Sequence, residues 1–268
     1  MSKKFALLQS PKDGVKRIFM FVGLILTSYF SSIHALSITP NIQKFKMLPG
    51  EKVSGQVTIL NTDPETIDVI PTTKNWFILN ENKKIKVADW LNIDSIPFVL
   101  KPDESKTVKF TVNIPKTAKG ELVGMLSFRT KSASRSSIEF VMSSAIYAAV
   151  SGTEKVDGDI AALGLKVSSN TFNCGLLIRN KGNVHLRPEG LIEIYNSEDE
   201  LMVNFSFPKG QPTYPGKLRE YSSAVRDIKL LPGKYKANIN ILDSEREFLI
   251  EKSERNFTLT ESGKVELK

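Results

Sequence analysis

Short segments with alternating side chains, separated by turn residues, recur along this sequence and constrain its fold more than any other feature. In residues 52–59 (KVSGQVTI), apolar or small residues fall on one face and polar residues on the other. An alternation of period two is typical of a half-buried β-strand. The turn formers Pro49-Gly50 precede this segment, and residues 61–64 (NTDP) close it. Strand, turn and strand at this spacing predict an antiparallel sandwich.

The pattern runs through two regions of the chain, and a polar stretch separates them. Seven or so strand-like segments precede residues 151–159 (SGTEKVDGD), and eight candidate strands follow. A chain of 268 residues is long enough for two domains, each with its own core. The sequence therefore predicts an all-β protein with two immunoglobulin-like β-sandwich domains in tandem, at residues 38–152 and 159–260, and a tail at 261–268.

The first 37 residues have the order of a secretory signal peptide. Lys16-Arg17 precedes an apolar run at residues 18–30, and small and polar residues follow it. The run is shorter than the roughly 20 residues of a spanning helix. We expect cleavage after Ser37, with Ala35 as the second choice, and an uncleaved anchor remains the alternative. We therefore predict a periplasmic or secreted protein that has no membrane span once the leader is removed.

Composition and motif content argue against nucleic-acid binding and catalysis. The formal net charge of +8 includes the basic leader, and the rest is spread along the chain without an arginine-rich block. Beyond the leader there is one histidine, His185, and one cysteine, Cys174. One histidine and one cysteine cannot form a zinc site with His and Cys ligands. The sequence also lacks the known phosphate-binding, dinucleotide-binding and serine-hydrolase motifs. We predict no enzyme, no cofactor and no metal.

Each of these two residues has a structural interpretation. His185 follows a Gly182-Asn183 turn, which predicts an exposed or turn-capping imidazole. Cys174 stands in a strand-like segment and is interpreted as a small buried apolar side chain, with an intermolecular disulfide as the alternative.

Residues 138–150 form an alternating segment that follows a serine-rich loop. A strand of this kind can fill the core of its own domain, or it can add itself to the sheet of another protein. In the second case its main chain supplies hydrogen bonds and its alternate side chains meet pockets of the partner. Both interpretations stay open here. The residues on its apolar face are Ile138, Phe140, Met142, Ile146, Ala148 and Val150.

The order of these features resembles that of the PapD-like periplasmic pilus chaperones. The resemblance covers most of residues 38–150, and a second sandwich follows as in that family. The matching features are the leader, the apolar-Pro-Gly-Glu turn at residues 47–51, a second strand ending in Asn61, Trp76 on the third strand, the serine-rich loop at 131–137 and the alternating strand after it.

The resemblance implies a protein partner, either a pilus subunit or another envelope protein. In that family the last strand of the first domain is lent to a subunit, and a basic pair in the cleft between the domains grips the subunit's terminal carboxylate. Lys44 takes the first basic position, where the family has Arg, and the second falls near Tyr147, where this chain has no Lys. The implied partner-binding residues are Lys44, Ile138, Phe140, Met142 and Ile146.

The sequence thus leads to two hypotheses about function. The first is an exported, non-enzymatic, chaperone-like binding protein that assists the assembly of pilus or other cell-surface proteins by β-strand addition. The second is a structural cell-envelope or adhesion module whose sandwiches mediate contacts. In the second case Lys44 is simply a charge that guards an edge strand.

Overall fold

A computed structural model describes residues 36–132, 139–168 and 170–267 of the chain. Most of the expected leader and the candidate Ile138 lie outside these ranges. All described residues belong to one compact unit, in which the two sandwiches have separate hydrophobic cores.

In the described residues, the first sandwich is built from nine strands in two sheets. A 3-10 turn (Asn80–Asn82) and a short helix, α1 (Val87–Trp90), connect two of them. The strands are β1 (Leu36–Thr39), β2 (Ile42–Met47), β3 (Lys52–Asn61), β4 (Ile67–Phe77), β5 (Leu91–Asp94), β6 (Phe98–Leu100), β7 (Ser105–Asn113), β8 (Glu121–Ser132) and β9 (Glu139–Val150). One sheet has the order β1-β3-β7-β5 and the other β2-β9-β8-β4-β6.

The core of this sandwich follows the alternation in the sequence. On β3 the side chains of Val57 and Ile59 are fully buried, while the polar residues of the opposite face are not. Trp90 is also fully buried, and its indole Nε1 donates a hydrogen bond to Asn75 Oδ1 at 3.0 Å. Gly124 on β8 leaves room for this ring, because a Cβ there would lie 2.8 Å from it.

The N-terminal segment crosses from one sheet to the other. β1 pairs antiparallel with β3, and after Pro40 the chain continues as β2, which pairs parallel with β9. The β2–β9 register runs from Ile42 opposite Ala145 to Met47 opposite Val150. β2 therefore covers one side of β9 only from Ala145 onward.

The first described strand includes two residues that the sequence analysis placed before the first domain. Leu36 and Ser37, which we assigned to the leader, belong to β1 and pair with Asn61 and Leu60. The Leu36 side chain is buried in the first core. A cut after Ser37 would remove this apolar contact, whereas a cut after Ala35 would keep it.

The second sandwich has eight strands, again in two sheets. They are β10 (Gly158–Ser168), β11 (Thr171–Asn180), β12 (Glu189–Tyr195), β13 (Leu201–Phe207), β14 (Leu218–Arg226), β15 (Gly233–Asp243), β16 (Phe248–Leu259) and β17 (Val265–Leu267). The sheet orders are β10-β11-β14 and β13-β12-β15-β16-β17. The segment predicted as a tail thus contributes a short strand, because β17 pairs with the end of β16.

The second core contains a group of aromatic rings among its aliphatic side chains, and the cysteine lies within the same core. The rings of Phe172 and Phe205 meet edge to face with centroids 5.0 Å apart, and Phe257 packs beside them. Cys174 is buried, and burial raises the pKa of its thiol to about 12. This confirms its interpretation as a small buried side chain rather than a reactive thiol.

Candidate protein-binding edge and cleft

The first half of β9 has a sheet partner on one side only. Residues 139–144 pair with β8, from Glu139 opposite Lys131 to Ser144 opposite Leu126. On the other side no strand among the described residues pairs with them, since β2 begins its pairing at Ala145. We call residues 139–144 of β9 the open edge.

The main-chain groups of the open edge have a defined direction. Further along β9, the N–H of Ala145 donates to Asn41 O on the β2 side at 2.9 Å, and the N–H of Val150 donates to Gly120 O on the β8 side at 2.8 Å. Odd-numbered residues of β9 therefore face the β2 side, because N–H and C=O groups alternate along a strand. By this alternation, the N–H and C=O groups of Val141 and Ser143 point out of the sheet at the open edge.

Apolar side chains accompany these main-chain groups. Phe140 is 41% exposed and Val141 is 57% exposed, while Met142 packs partly against the first core. Phe140 and Met142 lie on the same face of β9 as the buried Ile146, Ala148 and Val150. They stand nearer the start of the strand, where the core covers this face less completely. Ile146, in contrast, is fully buried and pairs with Gln43 of β2. The structure therefore assigns Ile146 to the core of the first sandwich rather than to a surface that a partner could reach.

Both ends of the open edge are marked by polar contacts. At one end, Glu139 lies 2.9 Å from Lys131 Nζ and 3.7 Å from Arg129 Nη1. The hydrogen bond from Lys131 lowers the pKa of Glu139, so this carboxylate is charged at neutral pH. At the other end, the hydroxyl of the buried Ser144 donates to Pro40 O at 2.8 Å. At Pro40 the chain passes from β1, which belongs to the other sheet, toward β2, which pairs with β9.

A cleft of about 510 Å³ lies between the two sandwiches. Its lining includes Lys44, Tyr147, His185, Glu245 and Arg246, and we call it the inter-sandwich cleft. Lys44 on β2 is in register with Tyr147 on β9. Both positions that the family resemblance implied for the basic pair therefore lie on the first-sandwich side of this cleft.

In the cleft, Lys44 is already paired with a carboxylate. Its Nζ lies 2.5 Å from Glu245 Oε2, and Lys209 Nζ of the second sandwich lies 2.7 Å from Glu245 Oε1. Glu245 stands in the turn between β15 and β16. The fully buried Asp243 shapes this turn, because its Oδ1 accepts hydrogen bonds from the main-chain N–H groups of Glu245 and Arg246.

Deeper in the cleft, a buried ionic cluster joins the two sandwiches. Glu121 Oε2 accepts a hydrogen bond from the main-chain N–H of His185 at 3.2 Å and lies 2.6 Å from its ring Nδ1. Glu121 Oε1 lies 3.2 Å from Arg246 Nη2. The prediction of an exposed or turn-capping imidazole at His185 was wrong, since only 1% of this residue is accessible and its ring contacts Glu121 of the other sandwich. Its ring instead packs on Tyr147, with centroids 4.5 Å apart.

Aromatic contacts extend this interface. The hydroxyl groups of Tyr147 and Tyr214 lie 3.1 Å apart, and Tyr214 stacks on Phe77 with ring centroids at 4.8 Å. Burial and the Tyr147 hydroxyl raise the pKa of Tyr214, which keeps this phenol neutral. The interface therefore combines an aromatic region with an ionic region.

We predict that the Glu245 contacts are lost in acid. Burial acts to raise the pKa of Glu245, but the hydrogen bonds from Lys209 and Lys44 outweigh it and lower the pKa to about 2. Because the pKa in the folded state is below the ordinary value of 4.5, the stabilisation is complete above about pH 4.5 and disappears as the pH falls toward 2. Glu245→Gln should lower the melting temperature by about 2–4 °C at pH 7 and leave it unchanged near pH 2. Thermal unfolding of Glu245→Gln and of the unaltered protein between pH 2 and pH 7 checks this prediction. A difference in melting temperature that stays constant with pH would contradict it.

Two further observations concern the described residues alone. They contain no group of three or more His, Cys, Asp or Glu side chains placed to hold a metal ion. Their helices are all too short or too polar to cross a membrane.

Comparison with known proteins finds similar solved structures only. No protein-family model and no curated protein matches the chain. Solved structures do match, and three of them are the class 5 fimbriae chaperone CfaA (17% identity, TM-score 0.40, 87% of this chain and 99% of that chain), the chaperone YadV (11%, 0.43, 84% and 99%) and the Salmonella enterica SafA pilin in complex with the SafB chaperone (7%, 0.41, 85% and 98%).

The similar structures thus include a periplasmic chaperone, SfaE, and a class 5 fimbriae chaperone, over most of both chains. The identities are below 20%. The structure confirms the fold predicted from the sequence, two immunoglobulin-like sandwiches in tandem.

Proposed function

We propose that this protein is an exported, non-enzymatic chaperone that holds an extended segment of another envelope protein, such as a pilus subunit, by β-strand addition at the open edge. The observation that supports this most directly is the stretch of β9 beside the first core that pairs with β8 on one side and, among the described residues, with no strand on the other. Exposed Phe140 and Val141 accompany main-chain groups that have no sheet partner among the described residues.

A client strand would continue the line of β2 along β9. It would form main-chain hydrogen bonds with Val141 and Ser143, and its alternate side chains would lie beside Phe140 and Met142. The six residues of the open edge span roughly 20 Å. Pro40 limits the strand at one end, because the backbone of residues 40–41 and then β2 occupy the same line from there on. The leader predicted from the sequence supports export, and the burial of Leu36 favours cleavage after Ala35.

Site-specific photo-crosslinking tests this proposal. A photoreactive amino acid at position 141 should crosslink to a client in cells, whereas the same group at Leu201, an exposed residue on the edge strand β13, should not. Adding Phe140→Glu should abolish the crosslink from 141 and leave the circular dichroism spectrum unchanged, because Phe140 is already partly exposed.

Two outcomes would contradict strand addition. Equal crosslinking from 141 and 201 would show that the open edge is not a preferred contact. Unfolding caused by Phe140→Glu would show that this part of β9 belongs to the core of its own domain. Retention of the crosslinked protein in an assembled surface layer, rather than release, would favour the structural module instead.

A further inference from the structure

We propose that the side-chain pattern of β1 keeps the open edge available to a partner. The main chain of β1 could pair with this edge, but its apolar residues alternate in the opposite phase to those that face the core there. The inference rests on the proposed function, because it concerns the same edge of β9. It assigns β1 a regulatory role in addition to its place in the first core.

The line of β2 leads directly onto the open edge. β2 pairs with β9 in parallel, and the first pair is Ile42 opposite Ala145. In the same register, a straight backward extension would place residues 36–41 opposite residues 139–144. These residues include all of β1. β1 is therefore the segment of the chain that would cover the open edge if it did not cross to β3.

The main chain of β1 could serve the groups that the open edge presents. The C=O of Asn41 accepts the N–H of Ala145 at 2.9 Å, so the N–H and C=O groups of odd-numbered residues in this segment face β9. Along a straight extension, Ser37 and Thr39 would offer theirs to the outward-pointing groups of the open edge. Pro40 would not interrupt this pairing, because an even-numbered residue has its backbone nitrogen on the side away from β9.

The side chains of β1 have the opposite preference. Its even-numbered residues, Leu36 and Ile38, are buried in the first core, and its odd-numbered residues are not buried. In β2 it is the odd-numbered Phe45 and Met47 that contact this core. A strand that stayed in one sheet would keep one phase. The apolar alternation thus changes phase between β1 and β2.

This change of phase decides which sheet β1 joins. On β3, Leu36 and Ile38 face the core. On the open edge, the register of β2 would turn both of these side chains to solvent. It would also bury the hydroxyls of Ser37 and Thr39 beside Phe140. Exposing apolar surface and burying hydroxyls without hydrogen-bond partners both cost free energy, so β1 stays on β3 and the edge stays available.

A one-residue deletion tests the inference. Deletion of Pro40 moves β1 one position toward β2, and on the open edge Leu36 and Ile38 would then face the core. We expect β1 to leave β3 and pair with β9. The matched control is Pro40→Ala, which also removes the proline but keeps the number of residues and therefore the phase.

A second variant shifts the phase without shortening the chain. It exchanges neighbouring residues of β1, so the composition of the strand is unchanged, and Pro40→Ala again serves as its control. Its substitutions are Leu36→Ser, Ser37→Leu, Ile38→Thr, Thr39→Ile and Pro40→Ala. Because the two variants alter the chain differently, either one decides the question if the other does not fold.

Amide hydrogen exchange at Val141 and Ser143, followed by NMR, measures the pairing of the open edge. Both amides should exchange rapidly in the unaltered protein and in Pro40→Ala, and at least about tenfold more slowly in the two phase variants, because β1 then pairs with them. The amide of Val150, which donates to Gly120 O, should stay protected in every folded variant. The client crosslink from position 141 should be lost in the phase variants and kept in Pro40→Ala.

Rapid exchange at both amides in a folded phase variant would overturn the inference, since phase would then not determine where β1 pairs. Slow exchange in Pro40→Ala alone would also overturn it, because the proline rather than the phase would keep the edge open. Hydrogen exchange needs no client. Failure of strand addition therefore shows in the crosslinking of the unaltered protein, and failure of this inference shows in the exchange rates.

Discussion

Replacing Val141 with proline should weaken client binding by about 100-fold or more and leave the first sandwich folded. The N–H of Val141 points out of the sheet, on the side where no strand of the described residues pairs with it, so we expect an added strand to use it. Proline removes this donor and places its ring where the client strand would run. Affinity for the client identified by crosslinking measures the effect.

The neighbouring residue supplies the control. The N–H and C=O groups of Met142 face β8, opposite Phe128, so Met142→Pro removes a hydrogen bond of the folded sheet. We expect Met142→Pro to lower the melting temperature and Val141→Pro to leave it nearly unchanged. Similar losses of stability in both variants would mean that the outer side of β9 is already paired. Unchanged affinity in Val141→Pro would exclude main-chain pairing at this edge.

The open edge could be predicted only in part from the sequence. The alternation of residues 138–150 identified a strand with an apolar row, and Phe140 and Met142 lie where that row leaves the core. The burial of Ile146 could not be foreseen, because it depends on the parallel pairing with β2, about a hundred residues earlier in the chain. A short alternating segment such as β2 gives no local signal that selects one sheet edge over another.

The cleft was even less visible in the sequence. Lys44 was placed there by resemblance alone, and the residues that surround it were missed. Glu121, Glu245 and Arg246 are ordinary charged residues in a chain that is one quarter charged, so composition does not distinguish them. His185 follows a turn, which predicted exposure, and only its contact with Glu121, 64 residues earlier, explains its burial. Contacts between two domains have no periodicity that a sequence pattern can reveal.

The ionic cluster between the sandwiches makes a second strong prediction, for Glu121→Ala. The carboxylate of Glu121 is almost fully buried, and its removal leaves the main-chain N–H of His185 without its acceptor. Arg246 loses its contact at 3.2 Å and keeps the longer ones to Asp243 at 3.8 Å and Glu245 at 3.9 Å. Removing one member of a buried ion pair costs about 3–5 kcal/mol. For a protein of this size the melting temperature should fall by about 10 °C.

Calorimetry at neutral pH measures this loss, and Glu266→Ala is the matched control. Glu266 pairs with Lys264 at the surface, where both side chains are more than half exposed, so its removal should change the melting temperature by less than about 2 °C. A change as small in Glu121→Ala would show that the cluster contributes little to holding the sandwiches together. A large loss, in contrast, would show that this buried cluster contributes strongly to holding the two sandwiches together, because Glu121 belongs to the first sandwich and His185 and Arg246 to the second.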